Sequence, residues 1–329
     1  MRVMLAPMEG VTDFHLRKIL TGLGGYSRCV TEFLRVTDHL YPDRVFYKIC
    51  PELKQSGVTA SNTPVYLQLL GSDPNALAIN AARAVALGAV GIDINFGCPA
   101  KTVNRHGGGS ALLRSPHVVA HIVQAVRDAV DPSIPVTAKM RLGFDDASSV
   151  LETAALIEQS GATELCVHAR TRADGYRPPA YWDQVRAVST ELTIPVIING
   201  EIWSAHESRL ARAESGCADL MLGRGALSKP DLALCLHAQE QQWCTSDRDH
   251  HQTQHYRSLV WPEVVDLLLQ LLESAAEFPP RYAGNRTKQW LSYLKRGYPE
   301  ATGLFNRVKR LRAVHEIEAE LQHAPHSAV

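Results

Sequence analysis

The sequence has no apolar run of about 18 residues, the length that a membrane-spanning helix needs. Its first apolar stretch is interrupted by Glu9, too early for a secretory signal peptide. The seven cysteines are odd in number and no two have the Cys-x-x-Cys spacing of zinc or redox sites. We therefore expect a cytoplasmic protein with no membrane segment, metal or disulfide, in which most cysteines are small core residues.

The chain also lacks net charge, because 34 basic residues balance 34 acidic ones. The balance is not uniform: residues 281–312 contain nine basic residues and a single acid, Glu300. An excess of positive charge in one segment indicates contact with nucleic-acid phosphates. The alternative is a solvated helical face whose aromatic residues form a local core.

Up to about residue 240, eight short apolar runs alternate with helical patterns. The runs lie at 3–8, 29–33, 65–70, 91–96, 135–140, 164–169, 195–200 and 219–224. Apolar spacing predicts helices at 75–87, 117–130, 148–159 and 204–214, and the last two begin with serines that can cap a helix. Eight such units predict an α/β protein with a closed (β/α)8 TIM barrel rather than an open sheet.

The pattern of apolar runs and helices changes after residue 240. Residues 241–254 are polar and predict a linker, and helical patterns follow at 260–272, 289–295 and 302–321. We predict a catalytic barrel domain at 1–244 and an all-helical domain at 245–329, which contains the basic segment, and we expect a monomer.

Each apolar run ends in polar residues or glycine, as at Gln68, Asn95, Lys139, His168 and Asn199. In a TIM barrel the carboxyl ends of the strands share one rim, which is where the active sites of such enzymes lie. This repeated pattern is the strongest indication from the residues themselves that the protein is an enzyme.

Two of these strand ends predict a phosphate site. Gly200 follows the seventh run, and Gly223, Arg224 and Gly225 follow the eighth. Loops at these positions of a TIM barrel often bind phosphate, since glycine lets backbone N–H groups approach the anion and arginine can clamp it. The alternative is that these are ordinary turn glycines.

Lys139 and Gln68 suit the edges of a flavin ring, a cation for its N1–C2 edge and an amide for its pyrimidine edge. The alternatives are a salt bridge at the rim and a solvated amide. Cys98, in the segment 95–99, is placed to act as a general acid, and the glycine-rich segment 107–109 is able to move over the site. The alternative for Cys98 is a buried structural cysteine.

Other rim residues suit a ligand or a nucleic acid. His168 can bind a flavin phosphate or a base carbonyl, and Arg141 and Arg170 can hold RNA phosphates near the mouth. Tyr176 lies on a loop long enough to touch substrate. The alternatives are a satisfied rim histidine and a packing aromatic.

With these segments together, the chain resembles the bacterial tRNA-dihydrouridine synthases over almost its full length. The segments that carry the resemblance are 6–13, 68–71, 95–99, 139–141, 167–171, 199–200 and 223–225. The resemblance implies FMN as cofactor, NADPH as reductant and tRNA as partner, with Cys98 as the catalytic proton donor. The residues implied to contact FMN are Pro7, Met8, Glu9, Gln68, Lys139, His168, Asn199, Gly200, Glu201, Gly223 and Arg224.

Segments 33–35 and 286–291 resemble subfamily C, which modifies uridine 16 of the D-loop. The resemblance implies that Arg35, Arg286, Lys288 and Lys295 orient the tRNA and that Asn95 orients the base. The implied reaction transfers hydride from FMN N5 to uracil C6, while Cys98 protonates C5. Two alternatives stay open: an FMN-dependent reductase of free pyrimidines, which needs no basic domain, and a non-catalytic tRNA-binding barrel, which needs no flavin.

Overall fold

The computed structural model describes residues 1–245, 256–279 and 282–324, and the strands within these ranges form one closed parallel barrel. The strands are β1 (Val3–Leu5), β2 (Arg28–Val30), β3 (Leu34–Arg35), β4 (Val65–Leu70), β5 (Ile92–Phe96), β6 (Val136–Arg141), β7 (Glu164–His168), β8 (Val196–Asn199) and β9 (Asp219–Leu222). The sheet closes because β1 pairs with both β2 and β9, and β2 pairs with β4. The short β3 also pairs with β4, farther along it than β2, so β2 and β3 together occupy one strand position of the barrel. The barrel therefore has eight strand positions, and the predicted TIM barrel is confirmed.

Helices connect the strands and complete the carboxyl-terminal region. They are α1 (Phe14–Leu23), α2 (Asp43–Ile49), α3 (Pro74–Ala86), α4 (Lys101–Asn104), α5 (Pro116–Ala129), α6 (Val150–Gln159), α7 (Arg186–Glu191), α8 (Ala205–Ser215), α9 (Arg224–Ser228), α10 (Leu232–Thr245), α11 (Trp261–Glu273), α12 (Asn285–Leu294), α13 (Glu300–Val308) and α14 (Val314–His323). Ser204 caps α8 as predicted, through its hydroxyl and the N–H groups of the first turn. Ser148 does not cap α6, because its hydroxyl donates to Asp146 instead.

The carboxyl-terminal helices differ from the prediction in one place. The pattern at 302–321 predicts one helix, but the structure has two, because the N–H of Leu311 bonds to the carbonyl of Val308 in a tight turn that ends α13. The predicted linker at 241–254 begins inside α10, which continues through Thr245. Residues 246–254 lie outside the described ranges, and the domain boundary at 244/245 stays a prediction.

Apolar residues form two cores. A small one fills the barrel and contains Met4, Val30, Cys166, Ile197 and Met221. The larger core lies between the strands and the surrounding helices and continues into α11–α14. Of the six cysteines whose side chains the structure describes, all but Cys98 are buried, as the sequence predicts. None of the helices in the described ranges has the length and apolar character to cross a membrane.

The strand register brings the polar strand ends to one level of the barrel. Asn95 on β5 lies beside Lys139 on β6, and His168 on β7 lies beside Asn199 on β8. Because all these strands are parallel, their polar carboxyl ends face a common space at the rim.

Candidate functional site

A cavity of about 480 Å³ lies on the outer face of the barrel between α8 and α10, and a larger one of about 680 Å³ opens at the carboxyl ends of the strands. At the outer cavity, Arg212 pairs with Glu240 and Arg209 donates to the side-chain oxygen of Gln239. The rim cavity instead collects cations, amides and a thiol. We therefore place the candidate active site at the rim. Its lining contains all eleven predicted cofactor residues together with Asn95, Cys98, Arg141, Tyr176, Trp203 and Tyr293.

Cys98 lies on the loop between β5 and α4. The side-chain oxygen of Asn95 accepts hydrogen bonds from the N–H groups of Gly97 and Cys98, both at 2.9 Å, and so fixes the turn that brings the thiol to the cavity. Burial raises the pKa of the Cys98 thiol above its ordinary value. The thiol is therefore protonated at neutral pH, the form that a proton donor requires.

Gln68 and Asn95 belong to a chain of hydrogen bonds inside the barrel. The amide of Asn95 donates to the side-chain oxygen of Gln68 at 2.8 Å, and the amide of Gln68 donates to Asp93 at 2.7 Å. Thr137 donates to the second oxygen of Asp93 at 2.6 Å. Both amides are thus held in one orientation at the cavity wall. Sequence analysis missed Asp93 and Thr137, although the alternation of polar and apolar residues in 91–96 contains the signal.

The next strands of the same wall contribute Lys139, His168 and Asn199. The ammonium of Lys139 donates to the side-chain oxygen of Asn199 at 3.1 Å, and the amide of Asn199 donates to the carbonyl of Met221. Burial lowers the pKa of Lys139, and burial together with Arg141 lowers the pKa of His168 well below its usual range. His168 is therefore neutral at neutral pH. Lys139 needs an electron-rich group beside it to offset the free energy of desolvating its ammonium.

The loops after β8 and β9 form the far side of the cavity. Gly200 has φ of 115°, and a Cβ there would lie 2.7 Å from the ring of His168, so a side chain does not fit. The guanidinium of Arg224 lies 5.1 Å from the ring centres of both Tyr176 and Trp203. Arg224 also lies 3.6 Å from Glu201, and its side chain stays partly exposed, as binding of a phosphate requires.

The donor set therefore fits a flavin phosphate ester. The half-buried ammonium of Lys139 has one hydrogen-bond acceptor among the described residues, and two oriented amides lie on the same wall. Such a wall suits the polar edge of a heterocycle that carries partial negative charge, and Arg224 beside two glycine-containing loops suits its phosphate.

Two predicted RNA contacts need correction. The side chain of Arg170 is fully buried, donates to the carbonyls of Arg177 and Pro179, and pairs with Glu201, so no surface remains for a phosphate. Arg141 is 2% exposed and donates to the carbonyls of Gly97, Thr171 and Gly175. Burial lowers the pKa of Arg141, which faces the cavity rather than the outer surface. Sequence analysis could not show which carbonyls the loops supply to these guanidinium groups.

Tyr176 and Arg35 are placed as a surface contact requires. Tyr176 is 55% exposed at the mouth of the cavity, and the guanidinium of Arg141 lies 5.2 Å from its ring centre. Arg35 is exposed at the end of β3. Both side chains are therefore available to a large substrate that lies across the rim.

The predicted contacts on the helical region are engaged within the protein. Arg286 pairs with Asp13 at 2.8 Å and donates to the carbonyls of Gly10 and Val11, so it joins α12 to the loop after β1. The sequence assigns Arg286 to tRNA, and this assignment stays a prediction. The ammonium of Lys288 donates to the carbonyl of Leu311 at 2.9 Å, and that of Lys295 lies 4.3 Å from the ring centre of Phe305.

A third cavity, of about 350 Å³, lies beside α12. Its lining includes Lys288, Lys309, Arg310 and Arg312 and contains no carboxylate. Burial, with Arg312 adding to it, lowers the pKa of Lys288. Sequence analysis identified the basic segment but did not select Lys309, Arg310 and Arg312 from it, because it could not show that the turn between α13 and α14 brings them next to Lys288.

Comparisons with known proteins agree with this geometry. The family model described as dihydrouridine synthase matches residues 4–323. A tRNA-dihydrouridine(16) synthase of Ralstonia nicotianae is 46% identical over 324 residues, which cover 98% of this chain and 96% of that protein. A tRNA-dihydrouridine(16) synthase of Pseudomonas putida is 48% identical over 311 residues, which cover 94% and 93%. A solved structure, a variant of NCR from Zymomonas mobilis, is 13% identical with a TM-score of 0.51 and covers 72% of this chain and 86% of its own, which shows similarity of fold alone.

Proposed function

This chain belongs to the dihydrouridine synthase family, whose enzymes reduce uridines of tRNA with a flavin, and we propose that its substrate is uridine 16 of the D-loop, with FMN as the flavin and NADPH as the reductant. The curated relatives named above support position 16. The observation that carries the proposal is that Cys98 and Lys139 line one cavity at the rim of the barrel, where burial raises the pKa of the Cys98 thiol.

The residues proposed to hold FMN all line the rim cavity. Lys139, Gln68 and Asn199 would bind the polar edge of the ring, and Arg224 with Gly200 would bind the phosphate. The remaining proposed contacts are Pro7, Met8, Glu9, His168, Glu201 and Gly223. When bound, FMN supplies the hydride that C6 of the uracil receives.

The chain's own residues supply the proton and the orientation. Cys98 gives its thiol proton to C5 of the base, which balances the hydride gained at C6, and the raised pKa keeps that proton in place until it is needed. The amide of Asn95, fixed through Gln68 and Asp93, orients the base. A uridine inside an RNA fold must be turned out of its stack to enter this cavity, as base-modifying enzymes require.

The basic cavity beside α12 supports binding of the tRNA backbone. Four cations line it without a carboxylate, so their combined field attracts phosphates. Arg35 and Tyr176 extend this surface to the cavity mouth. The proposed tRNA contacts are therefore Arg35, Tyr176, Lys288 and Lys295, to which we add Lys309, Arg310 and Arg312.

The deciding experiment is to map dihydrouridine by mass spectrometry in unmodified tRNA treated with the protein, with either NADPH or NADH. Dihydrouridine at position 16 alone, formed faster with NADPH, is the expected result. Dihydrouridine elsewhere in the D-loop would contradict the position but not the chemistry. No dihydrouridine from protein that contains flavin would contradict tRNA as the substrate, and free uracil would then be tested as the alternative substrate.

A further inference from the structure

The backbone carbonyl of Cys98 accepts three hydrogen bonds from two residues that are not part of the cavity lining. The N–H of Ser110 donates at 3.1 Å, the hydroxyl of Ser110 at 2.8 Å and the amide of Asn104 at 2.9 Å. A carbonyl rarely has more than two strong donors, because it has two lone pairs. The peptide group that follows Cys98 is therefore held more firmly than an ordinary loop peptide.

Asn104 and Ser110 are also bonded to each other. The hydroxyl of Ser110 also lies 3.1 Å from the side-chain oxygen of Asn104, so its single proton is shared between that oxygen and the carbonyl of Cys98. The amide of Asn104 donates to the carbonyl of Gly108 at 3.0 Å. Ser110 is fully buried. We call Asn104, Ser110 and the carbonyl of Cys98 the clasp, since they close the segment from residue 98 to residue 110 into a loop.

Gly109 packs directly beneath Cys98. Its φ of 59° lies in the left-handed region, and an added Cβ would lie 2.9 Å from the carbonyl oxygen of Cys98 and 3.0 Å from its Cβ. Sequence analysis treats the glycine-rich segment 107–109 as a cover that can move over the site. The structure instead packs Gly109, the last glycine of this segment, against Cys98, the proposed proton donor.

The clasp and Asn95 hold Cys98 from both sides. Asn95 accepts from the N–H of Cys98, and the clasp binds its carbonyl, so the peptide groups on either side of its Cα are both fixed. The remaining freedom of the thiol is rotation about χ1, which has three staggered positions. The position of the sulfur relative to the cavity thus depends on Asn95 in the cavity lining and on Asn104 and Ser110 outside it.

From this geometry we propose that Asn104 and Ser110 are positioning residues that fix the Cys98 sulfur for proton transfer to the base. The role of Cys98 as proton donor rests on the proposed function, whereas the position of its thiol does not. Misplacement of a reacting group by about 1 Å lowers turnover by up to about 100-fold. The clasp therefore contributes to the rate of the reaction without touching cofactor or substrate.

The test compares Asn104→Ala and Ser110→Ala with Ser133→Ala in the flavin-loaded enzyme. Ser133 is the matched control, because its hydroxyl also bonds a neighbouring side chain, Asp131, but on an exposed loop. We expect both clasp variants to lower kcat by about 10- to 100-fold with unchanged flavin content and unchanged KM for tRNA. Ser133→Ala should match the wild type.

A second measurement does not depend on the reaction. Iodoacetamide labels Cys98 in preference to the five other described cysteines, which are buried, and peptide mass spectrometry gives its rate. We expect a faster rate in both clasp variants, since the half-buried thiol becomes more accessible. If wild-type enzyme makes no dihydrouridine, the proposed function fails, but this labelling difference still tests the clasp.

A double-variant comparison separates positioning from general support of the fold. In a Cys98→Ala background, Asn104→Ala and Ser110→Ala should not lower the residual turnover further, because the group that they position is gone. An equal loss in both backgrounds would overturn the proposal. So would labelling and turnover within twofold of the wild type, or loss of bound flavin in the clasp variants.

Discussion

The two ends of the barrel differ at one charged group, the ammonium of Lys139. At the amino end, Arg2 and Arg28 share Glu164, and Arg2 also pairs with Asp219. At the carboxyl end, half-buried Lys139 has no carboxylate within ion-pair distance among the described residues, and burial lowers its pKa. Burying a cation without a counter-ion costs free energy, so a protein retains one where a ligand completes it. The comparison separates charges that hold the fold from charges that serve the site.

Substitution of Cys98 tests the carboxyl end most severely. We expect Cys98→Ala to lower dihydrouridine formation by about 100- to 10,000-fold, the usual contribution of a general acid, while flavin and tRNA binding persist. Single-turnover assays with unmodified tRNA, absorbance of bound flavin and a tRNA-binding titration measure the three quantities. Cys217→Ala is the control, since that thiol is buried before β9, at the amino end. Loss of bound flavin in Cys98→Ala would contradict a purely chemical role.

Removal of a carboxylate tests the amino end. Glu164→Gln leaves Arg28 with no ion-pair partner among the described residues, and we expect a loss of about 3 kcal/mol in the free energy of unfolding, as when one partner of a buried pair is removed. Urea denaturation measures this loss. The kcat of the folded variant should not change, because the two ends are separated by the barrel interior. Glu320→Gln, which breaks the more exposed pair with Arg307, is the control and should cost less than about 1 kcal/mol. A change in kcat with unchanged stability would contradict the division between the ends.

Removal of the Lys139 ammonium should give the reverse of the result for Glu164→Gln, with weaker ligand binding and no loss of stability. Lys139→Met is expected to weaken FMN binding by about 10- to 100-fold, since a hydrogen bond to a charged group contributes about 1.5–3 kcal/mol. The flavin-free variant should be no less stable than flavin-free wild type, because the substitution also removes a buried charge. Fluorescence titration with FMN and thermal melting of both apo proteins measure the two effects. Lower stability with normal FMN affinity would show that Lys139 serves the fold.

The barrel and its polar rim were predictable from local patterns. Eight apolar runs with polar ends require only the period of a strand and the shared rim of a parallel barrel, and Lys139 and Asn199 follow from their places in those runs. The internal partners of Arg170 and Arg286 were not predictable, because a guanidinium has five donors and their acceptors here are loop carbonyls and carboxylates distant in sequence. A sequence shows the donors but not which carbonyls the fold brings to them.

The clasp and the helical region show the same limit. Asn104 and Ser110 act on the carbonyl of Cys98, and a backbone carbonyl leaves no mark in the sequence. The apolar pattern of 302–321 continues through the turn that separates α13 from α14, so periodicity alone predicts one helix. That turn brings Arg310 and Arg312 to the cavity beside Lys288, which is why the sequence indicated basic charge but not its arrangement.

The smallest expected effect concerns the pH dependence of stability, which should differ in sign between the ends. At the carboxyl end, burial, with Asp13 adding to it, raises the pKa of Glu32. At the amino end, the hydroxyl of Thr193 lowers the pKa of Glu158. A carboxyl with a raised folded pKa favours the folded state below its unfolded pKa, about 4.3, and loses that contribution as pH rises through the folded value. A carboxyl with a lowered folded pKa contributes above its unfolded pKa and loses that contribution as pH falls through the folded value.

Thermal melting of Glu32→Gln and Glu158→Gln between pH 3 and pH 8 measures both carboxyl groups. Relative to wild type, Glu32→Gln should become more stable as pH rises from about 4 toward 8, since glutamine keeps an oxygen for the N–H of Gly10 without the buried charge. Glu158→Gln should be less stable than wild type at neutral pH, and this difference should shrink below about pH 4, because the charged form accepts the hydrogen bonds of Thr193 and Ile194. If both variants were more stable than wild type at neutral pH, or both less stable, the contrast between the two ends would be contradicted. The two carboxyl groups would then be shifted in the same direction.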